Sequence, residues 1–145
     1  MSVIKEIYDV AKDGAALATK TAAIKRALKA ELKLNKKLLS DIQNGEKINN
    51  KRRVEIIKML DIEEIAAAVR YEIPYVAISR KKVTPELAEK YKIKRIQDYD
   101  LEKLVEGLYL MISYLKKDYK NKRIDLNLRL INIYKYNRVL LELLG

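Results

Sequence analysis

Apolar residues recur along the first third of the chain at gaps alternating four and three. Val3, Ile7, Val10, Gly14, Leu17, Thr21, Ile24, Leu28, Glu31, Asn35, Leu38 and Ile42 form one seam, apolar at eight of its twelve positions. Ile4, Ala11, Ala18, Leu32 and Leu39 widen the stripe on one flank. A seven-residue repeat held this long predicts one helix over 3–43 that supercoils left-handed against its neighbours, as in a coiled coil. Gly14, behind Asp13, is its weak point, where a kink would split it. Asn44-Gly45 supplies the left-handed residue that ends it.

Glu31 and Asn35 occupy seam positions where apolar side chains are expected, four apart and on one face. Either they form a buried polar pair that specifies one packing arrangement, or the seam turns outward here. In the second case Leu32 and Leu39 take over and both polar groups are wetted.

The pattern then shortens. Asn50 caps KRRVEIIKML, with Val54, Ile57 and Leu60 on one face. Asp61 reads as a new N-cap with Glu64 as its reciprocal partner and Leu60 against Ile65 as the staple, so 50–72 is expected to hold short helices. Pro74 ends the second of them. Residues 74–98 lose periodicity and read as an irregular basic segment; Thr84-Pro85 opens one short helix over 85–91. The last two patterns, 100–120 and 125–144, are capped by Asp100 and Asp125 and joined by a short link, which predicts an antiparallel hairpin. Asn137 falls inside the apolar stripe of the second, so it joins Glu31 and Asn35 as a polar residue placed to set packing.

No internal repeat, low-complexity tract or linker interrupts the chain, and residues 1–145 read as a single helical domain. The expected fold is all-α: a bundle of four to five main helices, with one long heptad-patterned N-terminal helix and the irregular segment around 74–98. At about 1.5 Å per residue the first helix would span ~60 Å, twice the reach of the last two. Either it breaks near Gly14 or its surplus stripe is covered by another subunit; a homo-oligomer or a helical protein partner is therefore expected.

Composition narrows the chemistry. The 145 residues include no Cys and no His, with four Gly and two Pro. That removes disulfides, thiolate nucleophiles, imidazole bases and zinc sites, and leaves no glycine loop for phosphates. Carboxylate clusters at Asp61/Glu63/Glu64 and Asp98/Asp100/Glu102 sit at helix starts, where capping and the helix dipole account for them. No catalytic residue, metal ligand, cofactor or small-molecule substrate is indicated, and the chain reads as a non-enzyme. Glu6 and Asp9 interrupt what a signal peptide would keep apolar, and no run approaches a membrane span. A soluble, cytoplasmic protein is expected.

The charge is the strongest functional lead. Lys and Arg total 31 against 20 acidic residues, a formal net charge of +11, which favours a polyanionic partner. Two groups of candidate polyanion-binding residues stand out: Lys25, Arg26, Lys29, Lys33, Lys36 and Lys37 on the first helix, and Arg80, Lys81, Lys82, Lys92, Lys94 and Arg95 in the irregular segment. The residues EEIAAAVRYEIPYVAISRKK are similar to a helix-turn-helix near 64–82: Ile65, Ala66 and Val69 inward on the first helix, Val76 inward on the second, but Arg70 or Tyr71 where glycine is usual. PELAEKYKIKRI is a weaker echo, with Lys92 in the glycine's place. The ten tyrosines, in a chain without Phe or Trp, either pack at the core margin or, as in Tyr134-Lys135-Tyr136, stack on bases. The leading functional expectation is a non-catalytic assembly or adaptor protein that self-associates or docks an acidic partner through its basic faces. The alternative is a nucleic-acid-binding protein that coats a duplex through lysines or reads it through residues near 64–82.

Overall fold

The heptad seam is divided between two helices, α1 (Val3–Val10) and α2 (Leu17–Gln43), in the computed structural model, which describes residues 2–10, 17–43 and 48–145. Gly14 and the Asn44-Gly45 cap lie outside the described residues. Of the two expected arrangements, an unbroken rod and one divided in two, the described helices match the divided one, and α1 doubles back. Glu64 accepts a hydrogen bond from the Ile4 amide on one side, while its own amide donates to Glu31 on the other. One residue cannot bridge the ~40 Å that would separate positions 4 and 31 on a straight helix. Folding α1 onto α2 and the helix Glu63–Arg70 buries Ile4 completely, and much of the surplus stripe is covered from within the chain.

The remaining helices follow their caps. Helix α3 (Asn50–Met59) starts one residue earlier than expected: Asn49, not Asn50, accepts from the Arg52 amide at 2.9 Å. Helix α4 (Glu63–Arg70) follows, then a single turn, α5 (Tyr75–Ile78), and α6 (Pro85–Lys90), capped by the Thr84 hydroxyl. Asp100 and Asp125 cap α7 (Leu101–Asp118) and α8 (Leu126–Leu144), accepting from the amides of Lys103 and Leu128. The fold is an all-α bundle; no strand occurs among the described residues. None of the described helices is long and apolar enough to cross a membrane.

Segment 74–98 is irregular but packed. Ile73, Tyr75, Ile78, Val83, Ala88, Ile93 and Ile96 are all buried. A pair of 2.9 Å backbone bonds, Val83 amide to Tyr99 carbonyl and Asp98 amide to Val83 carbonyl, ties its middle to its C-terminal end. Two stretches twenty residues apart, Ala68–Ile73 and Ala88–Ile93, share the pattern Ala-x-(Arg/Lys)-Tyr-x-Ile and one geometry. In each the isoleucine amide reaches back to the alanine carbonyl, and the residue between Tyr and Ile is left-handed: Glu72 at φ 47° and Lys92 at φ 54°. This is the helix-ending motif in which glycine is usual.

Helix α7 packs antiparallel to α8, as the short link requires, whereas α2 runs parallel to α8: the Asn137 amide group meets the Leu32 carbonyl, and Lys36 lies beside Leu141. The α7–α8 approach depends on Gly107, where an added Cβ would stand 2.9 Å from Cε2 of buried Tyr136. Alanine would gain up to ~1 kcal/mol of helix propensity but force that ring aside, at about 1–3 kcal/mol. Gly107→Ala is expected to lower unfolding stability by about 1 kcal/mol in a urea titration; a more stable variant would mean the ring gives way freely.

Candidate functional site

Two kinds of polar residue stand out in this bundle: buried ones that fix it and exposed cations that it presents. Glu31, Asn35 and Asn137 are 6, 0 and 0 % exposed, so the seam does not rotate outward. Glu31 accepts from the amides of Glu64 (3.0 Å) and Ile65 (2.8 Å) at the start of α4. Asn35, one turn on, makes a two-way pair with the Asp61 backbone: its amide group donates to the carbonyl at 2.7 Å and its oxygen accepts from the amide at 2.9 Å. Asn137 donates to the Leu32 carbonyl at 2.7 Å.

Glu64 corrects an expectation. Its carboxylate does not close a capping box on Asp61, whose amide Asn35 already holds. Instead it caps α1, accepting from the Ser2 hydroxyl and the amides of Val3 and Ile4. Glu31 caps α4 and Glu64 caps α1, a cascade of carboxylates set against helix N-termini. Burial raises the Glu31 carboxyl to about 7; the two amide donors oppose that rise, and neighbouring Asp61 and Glu64 add to it.

Turning Glu31 inward leaves the outer face of α2 with one sign of charge. At about 100° per residue, Lys25, Arg26, Lys29, Lys33, Lys36 and Lys37 project within a sector of roughly 120° opposite the buried stripe, over ~18 Å of helix. Arg26, Lys33 and Lys37 are exposed, the other three half-buried. Ala22 and Ala30 leave a depression of about 410 Å³ among Lys25, Arg26, Lys29 and Lys33. Among the described residues none of the twelve candidate cations is in an ion pair.

The second group is not gathered in one place. Lys81 comes to Lys36 in a concavity of about 350 Å³ also lined by Tyr91, Arg138, Leu141 and Glu142. Lys92 is held through its carbonyl by Lys135, and Arg95 lies over the Tyr136 ring and beside Arg129, in a different depression. Arg80, Lys82 and Lys94 are exposed.

Arg138 was not a sequence candidate, yet it is the best-held cation on this surface. Its guanidinium lies 5.4 Å from the Tyr91 ring centre and 5.7 Å from that of Tyr134, and donates to both hydroxyls, at 3.4 and 2.8 Å. Glu142, the concavity's carboxylate, accepts from Lys90 (2.9 Å) and the Tyr91 hydroxyl (3.1 Å), and those donors hold it below the usual carboxylate range. The only local hint was Tyr134 four residues before Arg138 on α8; Tyr91 and Lys36 come from distant sequence.

The helix-turn-helix expectation meets a geometric obstacle. Its second helix, α5, is one turn long, Val76 is 65 % exposed where it should face inward, and Tyr75 is buried with its hydroxyl on the Ala68 carbonyl. Ser79 is engaged by the Leu143 carbonyl. A recognition helix needs several turns to present side chains along a groove. Tyr134 and Tyr136 are buried too, so their rings are not presented for stacking on bases. No protein family matches the chain, nor does any curated protein or solved structure.

Proposed function

We propose that the protein is a non-catalytic docking module that presents the basic face of α2 to an acidic protein partner. One observation carries this reading: six cations project from one side of α2, while the only carboxylate between Lys20 and Ser40, Glu31, is turned into the core. The field of such a face speeds and orients the approach of an opposite charge. The stripe that would have called for a second copy is largely occupied by the chain's own helices, so the partner is sought on the charged side of α2.

A second reading, duplex coating, is favoured by the spacing of Lys25, Lys29, Lys33 and Lys36, about one cation per turn in line. Sequence reading of DNA is not part of it, since α5 offers no recognition helix.

Titration of a labelled glutamate-rich peptide and of a labelled duplex at about 50 and 200 mM salt separates the two. The acidic peptide is expected to bind and to hold its preference at the higher salt, with K29A/K33A weakening it several-fold. Tighter duplex binding, falling with a log–log salt slope near −5 for some six phosphates, would establish the second reading instead. Absence of binding by both probes at the lower salt would sink each of them.

A further inference from the structure

We infer that the concavity between α2, the loop after α5, α6 and α8 is a phosphoryl-binding anchor, and that the acidic partner carries a phosphorylated serine or threonine that seats there. The inference rests on the docking reading above and names what that face recognises. Three elements each bring one cation to the site: Lys36 from α2, Lys81 from the loop and Arg138 from α8. Lys36 and Lys81 have no ion-pair partner among the described residues, so an incoming anion meets charge that is not already neutralised.

Arg138 gives the site its selectivity. Two tyrosine rings and two hydroxyls fix its plane before any ligand arrives, and a fixed guanidinium fork suits an oxyanion with several acceptor oxygens. A phosphoryl group carries about −1.5 to −2 charges on three such oxygens, against −1 for a glutamate. Two free lysines beside the fork match the larger charge. Glu142 lies on the same wall but is already occupied by Lys90 and Tyr91; its residual charge opposes the ligand, so removing it should help binding.

A phosphorylated protein segment fits better than a nucleic-acid backbone. The anchor draws its cations from three separate elements at one end of the α2 face, whereas the depression farther along is lined by α2 alone, so the same arrangement does not repeat along the face. Beyond it, Lys33, Lys29 and Lys25 continue as a row suited to acidic side chains flanking the phosphorylated one.

The test is fluorescence anisotropy of the full chain with a labelled nonapeptide holding one phosphoserine among glutamates, and with its unphosphorylated twin. The phosphopeptide is expected to bind on the order of tenfold tighter. K81A, which alters only an exposed side chain, should remove most of that preference, and R138K should weaken it while keeping the charge. K29A should weaken both peptides alike, and E142Q should leave the preference unchanged or raise it. Equal affinity for the two peptides, or a preference that survives both K81A and R138K, overturns the anchor while leaving the docking reading standing. Failure of both peptides to bind, or a duplex of equal charge binding more tightly than both, overturns the anchor and the docking reading together.

Discussion

Replacing Glu31 with alanine is expected to lower unfolding stability by about 3 kcal/mol near pH 5 to 6, with little change in the denaturant slope. The Glu31 carboxyl group is the partner of two amides in the first turn of α4. An unpaired buried donor forfeits about 1–3 kcal/mol, and the vacated volume adds a packing loss. The loss also propagates, because the Glu64 that Glu31 positions is the group that caps α1.

The pH dependence gives this prediction a sign. The Glu31 carboxyl titrates at about 7 in the folded chain against an ordinary 4.5, chiefly because it is buried. Between those values the folded state binds a proton that the unfolded state has released. The stability this group provides is therefore full below about 4.5 and declines as pH rises through about 7. The gap between wild type and Glu31→Ala should narrow by roughly 1–3 kcal/mol between pH 5 and pH 8. Urea melts of both proteins at four or five pH values decide it; a gap that widens toward alkaline pH would show that ionised Glu31 is the favoured form.

The second large effect is expected at Asn35. Its side chain pairs with both the amide and the carbonyl of Asp61, so Asn35→Ala strands a donor and an acceptor and should destabilise by about 2–3 kcal/mol. Asn35→Asp distinguishes hydrogen bonding from volume. At pH 7 it keeps an acceptor for the Asp61 amide but sets a negative charge against the carbonyl, one turn from Glu31, and should be worse than alanine. Once protonated it can donate again, so the order should invert as the pH is lowered. A double-mutant cycle with Glu31→Ala should return a coupling of about 1 kcal/mol, since both side chains hold the turn at 61–65. Additive losses would mean the two act on separate units.

The all-α architecture was legible because its signals are local: apolar spacing at three and four, aspartates at 100 and 125, and Thr84-Pro85. The polar seam residues were visible as anomalies for the same reason. What they bond to was not, because the partners of Glu31, Asn35 and Asn137 lie 33, 26 and 105 residues away. Glu64 illustrates the limit well. Its spacing from Asp61 satisfied a local rule, but a helix start sixty residues earlier bonded its carboxylate instead. The doubling back of α1 is illegible for a similar reason: the heptad register runs through Gly14 whether or not the helix does.

The candidate site was half legible. A one-signed face on α2 follows from helical geometry once Glu31 is known to be buried. That Lys81 joins it and Lys92 does not depends on how 74–98 folds. The course of that segment depends on three non-glycine residues in left-handed conformation, Glu72 just before it and Lys92 and Asp98 within it, which composition does not advertise. Arg138 escaped notice because one cation on a long helix is unremarkable until two tyrosines are found around it.

The parallel pairing of α2 with α8 has a consequence for biosynthesis. Leu32 is translated 105 residues ahead of Asn137, and at ribosomal rates of about 5–20 residues per second that is a delay of about 5 to 20 s. During it α2 can recruit α4, which emerges early, but the side destined for α8 stays open to water. A nascent chain stalled before residue 126 should therefore be the form that sticks to other chains and needs a chaperone, and completion of the last helix is what ends that exposure.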